Sequence, residues 1–486
     1  MVVLFPDHAN GRFCPAVRRR YSCYLCVCDT IAACWQVVPW WCTRRCMGMS
    51  DVRQSQGFNP VLRMGVKRKM DVVLNEAGGM MKTGPMTNRN ITQKATATLT
   101  VCMGMLLASY NAQAAGEARS IDLGGGLQLT PTLGVSYKHN DNIFSSTTNR
   151  KSSNITVFNP SLALQAGDDI NNLALSYDIS RGIYHNSRRD DYTDHNVTFD
   201  ANKEFTRRLQ AGLAAYYKKT HDPRGSTFTG LAITNPNPDR YHETGVSTTI
   251  GYGVNGRITL IGDYSNKRYE NNRVTTITRD LDTMGGDFSF AYPIAPKTDA
   301  VIEARYKRFD YKYLTATTNL DSNEQTYYGG LDWQATAKTS GNLRLGYMKK
   351  RFNSARMTGG NGFSWELGMD WAPKTYSTFT LQTKGGFNET DGTGSFLKTQ
   401  GGSLSWQHEW NEKFGHHASA SYTENKYVGT ALGRKDKLST VGFGVDYQIV
   451  RWLGIDLAYD HSTRRSNAAN SSYNSNIYSI NLTGTL

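Results

Sequence analysis

Residues 441–460 read VGFGVDYQIVRWLGIDLAYD, and this stretch decides the fold class. From Val441 to Ile449 large apolar residues alternate with small or polar ones, and the alternation resumes at Leu453. Because successive side chains of a strand point to opposite faces, the pattern predicts a hairpin of two two-faced strands. A membrane barrel can turn such an apolar face outward to lipid and the small, polar face inward.

The same alternation recurs along the chain and predicts an all-β, antiparallel transmembrane β-barrel of about 18 strands, within a range of about 16–18. Each predicted strand has about ten to thirteen residues, which suits a tilted strand in a thin outer membrane. The predicted strands are 127–138, 155–166, 172–184, 193–203, 208–218, 242–253, 257–267, 283–292, 298–309, 325–335, 341–350, 363–371, 377–387, 399–410, 414–425, 438–449, 452–461 and 477–486.

The predicted connections alternate between short and long. Short turns include 254–257, 372–375 and 450–451, whereas long polar connections include 219–241 and 426–437. This asymmetry is typical of an outer-membrane barrel with short periplasmic turns and long extracellular loops. An even number of strands then places both ends of the barrel on the periplasmic side.

Aromatic residues recur at both ends of the predicted strands, on the apolar face, where they would form two interfacial girdles. The outer set is Tyr137, Tyr177, Tyr217, Tyr264, Tyr306, Tyr347, Phe387, Tyr422 and Tyr459, and the periplasmic set is Tyr292, Trp333, Trp371, Trp410 and Tyr447.

Composition excludes several protein classes. The chain of 486 residues has a mean hydropathy of −0.52, and its body contains no apolar run of about 18 residues, which excludes a helical membrane protein. All eight cysteines precede residue 103. Cys23, Cys26 and Cys28 lack histidine partners at ligand spacing, so neither a metal site nor a cofactor is predicted.

The front of the chain differs in kind from the rest. Residues 1–79 are interpreted as a disordered upstream extension that follows from a wrongly chosen start, and residues 80–114 as a signal peptide. The signal combines Lys82, Arg89 and Lys94, an apolar core at 95–108, and cleavage near Ala114. A short periplasmic lead, 115–126, and the barrel, 127–486, would follow. The predicted location is the outer membrane of a Gram-negative bacterium.

Charge argues against nucleic acid as a partner. The whole chain carries a formal net charge of +14. Residues 1–114 hold 14 basic and 5 acidic residues, which leaves 41 basic and 36 acidic residues in the mature chain, a net charge of +5. The main argument for a polyanionic partner is therefore lost.

The polar face of the predicted barrel carries charged residues that would line its lumen. Acids recur near the periplasmic end, and cations with neighbouring acids recur at mid-height. They form either a hydrated channel with an acidic mouth or a set of ion pairs that fills the lumen. The predicted lumen-lining residues are Asp332, Asp370, Glu409, Asp446, Asp456, Glu303, Arg305, Lys307, Arg344 and Glu366.

Basic pairs lie at the outer ends of the upward strands, where lipopolysaccharide or an acidic polymer would be attracted, or where they form a solvated rim. They are Lys218-Lys219, Lys267-Arg268, Lys307-Arg308, Lys349-Lys350-Arg351 and Arg464-Arg465.

No catalytic constellation is predicted, and the chain is not expected to be an enzyme. Asp191, Thr193 and His195 share one phase at a strand start, but no nucleophile or second acid accompanies them. His416 and His417 are assigned to a periplasmic turn, and His408 to the lipid-facing phase.

Four segments give the chain a family resemblance: LTPTLGVSYKHNDNIFSS (129–146), ATAKTSGNLRLGYMKKRF (335–352), WAPKTYSTFTL (371–381) and DYQIVRWLGIDLAYDHSTRRS (446–466). They resemble the putative β-barrel porin type-two family, which includes EpsL-type proteins. The resemblance spans the mature chain and implies an outer-membrane barrel associated with exopolysaccharide or capsule biosynthesis.

The function expected from these observations is a channel or accessory protein for export of an extracellular or capsular polysaccharide. Two alternatives stay open: a general diffusion porin for small solutes, and a structural or adhesive surface barrel with a filled lumen. Expected partners are outer-membrane lipid and lipopolysaccharide, the barrel assembly machinery, a periplasmic polysaccharide-export protein and an exopolysaccharide.

Overall fold

A computed structural model describes residues 120–168, 170–225, 237–270, 274–313, 319–336, 338–390 and 392–485. The predicted extension, the signal peptide and the first part of the periplasmic lead lie outside the described residues.

Nineteen strands are present in the described ranges, and eighteen of them form a closed antiparallel barrel. Each of the eighteen pairs with its sequence neighbours, and the last pairs back with the first of them, Ile477 opposite Asn140. The strands are β1 Ile121–Gly124, β2 Leu127–Asn140, β3 Ser153–Gly167, β4 Asn172–Tyr184, β5 Tyr192–Thr206, β6 Leu209–Asp222, β7 Asp239–Tyr252, β8 Arg257–Tyr269, β9 Leu281–Ala295, β10 Thr298–Tyr311, β11 Ser322–Thr336, β12 Thr339–Phe352, β13 Gly360–Lys374, β14 Ser377–Glu389, β15 Phe396–Glu409, β16 Phe414–Val428, β17 Lys435–Val450, β18 Leu453–Ser466 and β19 Tyr473–Thr485. The predicted strand number and fold class are confirmed.

The barrel strands have 13 to 16 residues, more than the ten to thirteen predicted. The difference arises because backbone pairing continues beyond the apolar band into polar sequence. In β11, for example, pairing runs to Ser322 opposite Phe352, three residues beyond the predicted start. Alternating hydrophobicity marks only the length of strand that faces lipid.

The short strand β1 was not predicted. It pairs with the start of β2, Ile121 opposite Leu129, so part of the predicted lead belongs to the sheet. Gly124, Gly125 and Gly126 all have positive φ, at +88°, +64° and +80°. Such angles are open to glycine at little cost, which is why three glycines form this turn.

The connections alternate as predicted, and the edge with the short turns is called the periplasmic end below. One long connection contains a short helix, α1 Val274–Ile277, and another contains a 3-10 turn at Arg188–Asp190. No helix in the described ranges has the length and apolar character to cross a bilayer.

The two faces of each strand differ as the opening hairpin predicts. Phe443 points outward and is 53% exposed, whereas Asp446 points inward and is 7% exposed. Apolar side chains therefore cover the outside and polar ones the lumen, the reverse of a soluble sandwich.

The outer aromatic girdle also forms, with one exception. Eight of its nine predicted members are exposed on the outward face, but Phe387 is not. The ladder between β13 and β14 has its outermost pair at Trp365 and Gly385. Beyond that pair Phe387 packs on Phe396, and its backbone N–H donates to Met348 Sδ on the inward side. Phe387 keeps the outward phase, because a Cβ on its neighbour Gly386 would lie 3.3 Å from Met348 Cε on the inward side, but this packing leaves Phe387 half-buried.

Candidate functional site in the barrel lumen

Five of the predicted lumen residues meet at mid-height on β10 to β13. The register places Arg344 directly opposite Glu366. On its other side Arg344 faces Gly330. A Cβ on Gly330 would lie 2.8 Å from Arg344 Cδ. Because glycine has no side chain, Arg344 has room to cross β11 and reach Glu303 on β10.

The five side chains form a chain of alternating charge, called the mid-lumen network: Glu366, Arg305, Glu303, Arg344 and Asp332. Arg305 donates from Nη1 and Nη2 to the two oxygens of Glu366 at 2.7 and 3.0 Å, and from Nε to Glu303. Arg344 lies 3.1 Å from Glu303 Oε2 and 2.8 Å from Asp332 Oδ1. The Arg344 side chain is only 4% exposed, so the network is structural as well as polar.

A second group of acidic and aromatic residues surrounds Lys350 nearer the extracellular end. Its side chain is fully buried and its Nζ contacts Glu389, with Glu324 Oε2 3.8 Å away. Lys350 Nζ also lies 3.9 Å from the ring centre of Phe309. A buried ammonium of this kind requires paired carboxylates. Lys350 was predicted to belong to the basic run 349–351 at the outer rim, which would attract lipopolysaccharide or stay solvated, and its full burial contradicts both alternatives for this residue.

The alternation of strand faces also explains the other basic pairs. Adjacent strand residues point to opposite faces, so each pair sends one cation inward. Lys218, Lys267 and Arg464 each lie over an inward ring, that of Tyr216, Tyr241 or Tyr473. Several outward members are paired with acids: Lys219 with Glu270, Arg268 with Asp282 and Arg308 with Asp310. The basic rim is therefore weaker than the sequence indicates. Lys307 faces Glu324 in register on the inward side.

The predicted acids near the periplasmic end do not share one environment. Asp332 belongs to the mid-lumen network. Asp370 accepts a hydrogen bond from Thr380 Oγ1 at 2.7 Å and, like Glu409, is exposed. Asp446 and Asp456 are buried and lie directly opposite each other.

Burial divides the lumen wall into two sectors. Many inward residues of β10 to β12 are buried, among them Arg344, Tyr328 and Thr326, and most of the others are half-buried. On β13 to β15 five inward residues stay exposed: Asp370, Gln382, Lys384, Gln407 and Glu409. We call this second group the accessible sector. It runs from the height of Glu366, which faces Lys384, to the periplasmic end.

Several inward charged residues were missed by the sequence analysis, although their strand phase could have revealed them. They are Lys138, Asp178, Asp263, Asp287, Lys384, His417 and Asp460. Asp178, for example, accepts hydrogen bonds from Ser161 at 2.6 Å and Asn196 at 3.2 Å across neighbouring strands. His417 lies on β16, three residues inside the strand, and not in the turn to which it was assigned.

The residues considered for acid–base chemistry are not brought together. His195 faces outward, where its Nδ1 lies 2.9 Å from Tyr177 Oη. Asp191 accepts a hydrogen bond from the Tyr184 backbone, and Thr193 accepts one from Arg181. His408 and His416 lie in an outward aromatic group with Trp410. Each of these side chains therefore has structural contacts of its own.

Comparison with known proteins gives one family match. A family model described as "Putative beta-barrel porin 2" matches residues 120–486. No curated protein sequence matches the chain.

Solved structures match with low identity. The FrpB iron transporter from Neisseria meningitidis (F3-3 variant) is 11% identical with a TM-score of 0.41, and the match covers 69% of this chain and 62% of the transporter. OccAB2 from Acinetobacter baumannii is 15% identical with a TM-score of 0.42, covering 74% and 98% of the two chains. OccK3 (OpdO) from Pseudomonas aeruginosa is 14% identical with a TM-score of 0.40, covering 75% and 97%.

Proposed function

Because the chain belongs to the Putative beta-barrel porin 2 family, and is thus a porin-like barrel of the outer membrane, we propose that it conducts an extracellular or capsular polysaccharide to the cell surface. The observation that supports this most is the accessible sector. Its amide, carboxylate and ammonium groups line the wall from mid-height to the periplasmic end, where they can exchange hydrogen bonds with water for hydrogen bonds with sugar hydroxyls. Family membership also supports a role other than catalysis.

The charge of the accessible sector limits the class of polysaccharide that it would conduct. Asp370 and Glu409 lie at its periplasmic end, whereas Lys384 faces Glu366 across the ladder. A polymer entering from the periplasm therefore meets carboxylates first. Carboxylates repel a polyanion and not a neutral chain, so the proposed cargo is a neutral polysaccharide.

Planar lipid bilayers test the channel directly. We expect the purified protein to form openings that favour cations, because the mouth is acidic. Asp370→Asn with Glu409→Gln should reduce that preference, while Glu270→Gln, an acid on the outward side that pairs with Lys219, should not change it. Neutral oligosaccharides added to the periplasmic side should block the current. Openings without sugar block would favour the general porin for small solutes.

A filled barrel is the second candidate, and one observation favours it. The mid-lumen network and the Lys350 group bury charged side chains over β10 to β14, as a plugged wall would. If it is correct, bilayers should show no openings for the wild type or for variants that shorten the network side chains.

The expected partners follow from the same proposal. A periplasmic polysaccharide-export protein would dock on the periplasmic end, and the outward apolar band would bind membrane lipid. Lipopolysaccharide would meet the outward members of the basic pairs. Co-purification with a periplasmic export component, lost when the turn at 410–413 is replaced, tests the first of these contacts.

A further inference from the structure

Three potential metal ligands come together on the inward face of adjacent strands. They are His417 on β16, Asp446 on β17 and Asp456 on β18. Asp446 faces Asp456 in register, and His417 faces Gly444, two residues from Asp446. The hairpin that decides the fold thus supplies two of the three side chains.

The two carboxylates share one nearby histidine, His417, as their potential cation. Two carboxylates directly opposite each other in a ladder destabilise it. Asp446 Oδ1 and Asp456 Oδ2 are buried and accept no well-aligned hydrogen bond from the part of the chain that the structure describes, although His417 Nδ1 lies 3.3 Å from the first and Nε2 lies 3.9 Å from the second. Buried carboxylate oxygens without hydrogen bonds are costly unless a cation binds them.

The backbone leaves room between the three groups. A Cβ on Gly444 would lie 2.3 Å from His417 Nε2 and 3.1 Å from Asp456 Oδ2. Asn481 Nδ2 donates to the other oxygen of Asp456, Oδ1, at 2.6 Å. That hydrogen bond fixes the carboxylate and directs Oδ2 toward the shared space, as supporting residues do around metal ligands.

We propose that His417, Asp446 and Asp456 bind one divalent transition-metal ion of the Zn²⁺ class. A nitrogen and two carboxylate oxygens suit Zn²⁺, whereas Ca²⁺ and Mg²⁺ take oxygen ligands. Ligand atoms of a tetrahedral Zn²⁺ lie about 3.3 Å apart, as follows from bonds of about 2.0 Å. Here one potential ligand atom from each residue lies within 4.8 Å of the others, so small side-chain rotations suffice.

The simplest rival is an ion pair in which a protonated His417 alone balances the carboxylates. His417→Lys distinguishes the ion pair from the metal site. Lysine keeps the positive charge, but it cannot replace the imidazole as a metal ligand at neutral pH. Asp456→Asn and Asp446→Asn remove one oxygen ligand each. Asp370→Asn is the matched control, since it removes an inward acid outside the cluster.

The test uses the folded barrel in detergent at pH 7.5, stripped with a chelator. Titration calorimetry with Zn²⁺ should show one saturable site per chain, and Zn²⁺ should raise the melting temperature by several degrees. Both effects should be lost in His417→Lys and Asp456→Asn and kept in Asp370→Asn. Absence of saturable binding to the wild type overturns the proposal, as does binding that persists in His417→Lys and in both aspartate variants.

Discussion

The mid-lumen network and the cluster of His417, Asp446 and Asp456 both consist of charged or chargeable side chains, but the strand register pairs those side chains differently. Both lie on neighbouring strands and face inward. In the network the ladder sets Arg344 opposite Glu366, so opposite charges meet. In the cluster it sets Asp446 opposite Asp456, so like charges meet. If the proposed metal site is correct, register decides whether buried charged groups pair with each other or bind an ion.

Breaking the network should have the largest effect. Arg344→Met removes the cation that the half-buried Glu303 and Asp332 share and leaves Glu303 with Arg305 alone, which costs about 3–5 kcal/mol in the free energy of unfolding. Urea unfolding of the barrel refolded into lipid vesicles measures this. Arg308→Met, which removes an exposed outward arginine paired with Asp310, should change the free energy by less than about 1 kcal/mol. Equal effects of the two variants would contradict a structural network.

Filling the space that Arg344 uses should cost less. A Cβ on Gly330 would lie 2.0 Å from the Leu343 carbonyl oxygen and 2.8 Å from Arg344 Cδ. We expect Gly330→Ala to destabilise the barrel by about 1–3 kcal/mol, because overpacking forces the neighbours to shift. Gly329→Ala is the neighbouring control, since no atom of the described residues lies within 4 Å of its Cβ. The same urea experiment compares them, and a loss confined to Gly329→Ala would contradict this account.

Relieving the like-charge pair should have the opposite sign. In the presence of a chelator, Asp446→Asn should stabilise the barrel by about 0.2–1 kcal/mol, because it removes a carboxylate directly opposite Asp456. With Zn²⁺ added the order should reverse, since the wild type gains binding energy that the variant lacks. Melting temperatures of both proteins in both buffers check this. A variant that is less stable than the wild type in the chelator would show that the two carboxylates are already balanced.

The smallest effect should come from an exposed outward pair. Lys219 Nζ lies 3.1 Å from Glu270 Oε1, and the Lys219 side chain is 44% exposed. Lys219→Gln should change the free energy of unfolding by no more than about 0.5 kcal/mol. A double-mutant cycle with Glu270→Gln measures the coupling. A coupling as large as that between Arg344 and Glu303 would remove the distinction between the lumen and the rim.

The sequence predicts the faces of this molecule better than its contacts. Alternation was enough for the number of strands and for the inward phase of Asp446, Asp456 and Arg344, because a period of two depends only on the backbone. The ion pairs depend on register across several strands. The contact of Lys350 with Glu389 also depends on the end of the β13–β14 ladder, where no periodic pattern marks the change of face.

His417 shows the same limit on a smaller scale. The sequence analysis placed His417 at a periplasmic turn, at the start of the predicted strand 414–425, and predicted no metal site. Pairing begins at Phe414, so His417 is an inward strand residue opposite Gly444. A single histidine carries no period of its own, and its role becomes visible only beside the hairpin of Asp446 and Asp456.

The accessible sector is proposed to conduct a polysaccharide across the outer membrane. The most direct measurement is the amount of secreted polymer from a strain that lacks this protein, compared with the same strain carrying the wild-type chain. Surface polymer should fall and periplasmic polymer should accumulate in the deletion strain, and the wild-type chain should restore secretion. Normal secretion from the deletion strain would contradict the proposed role in export.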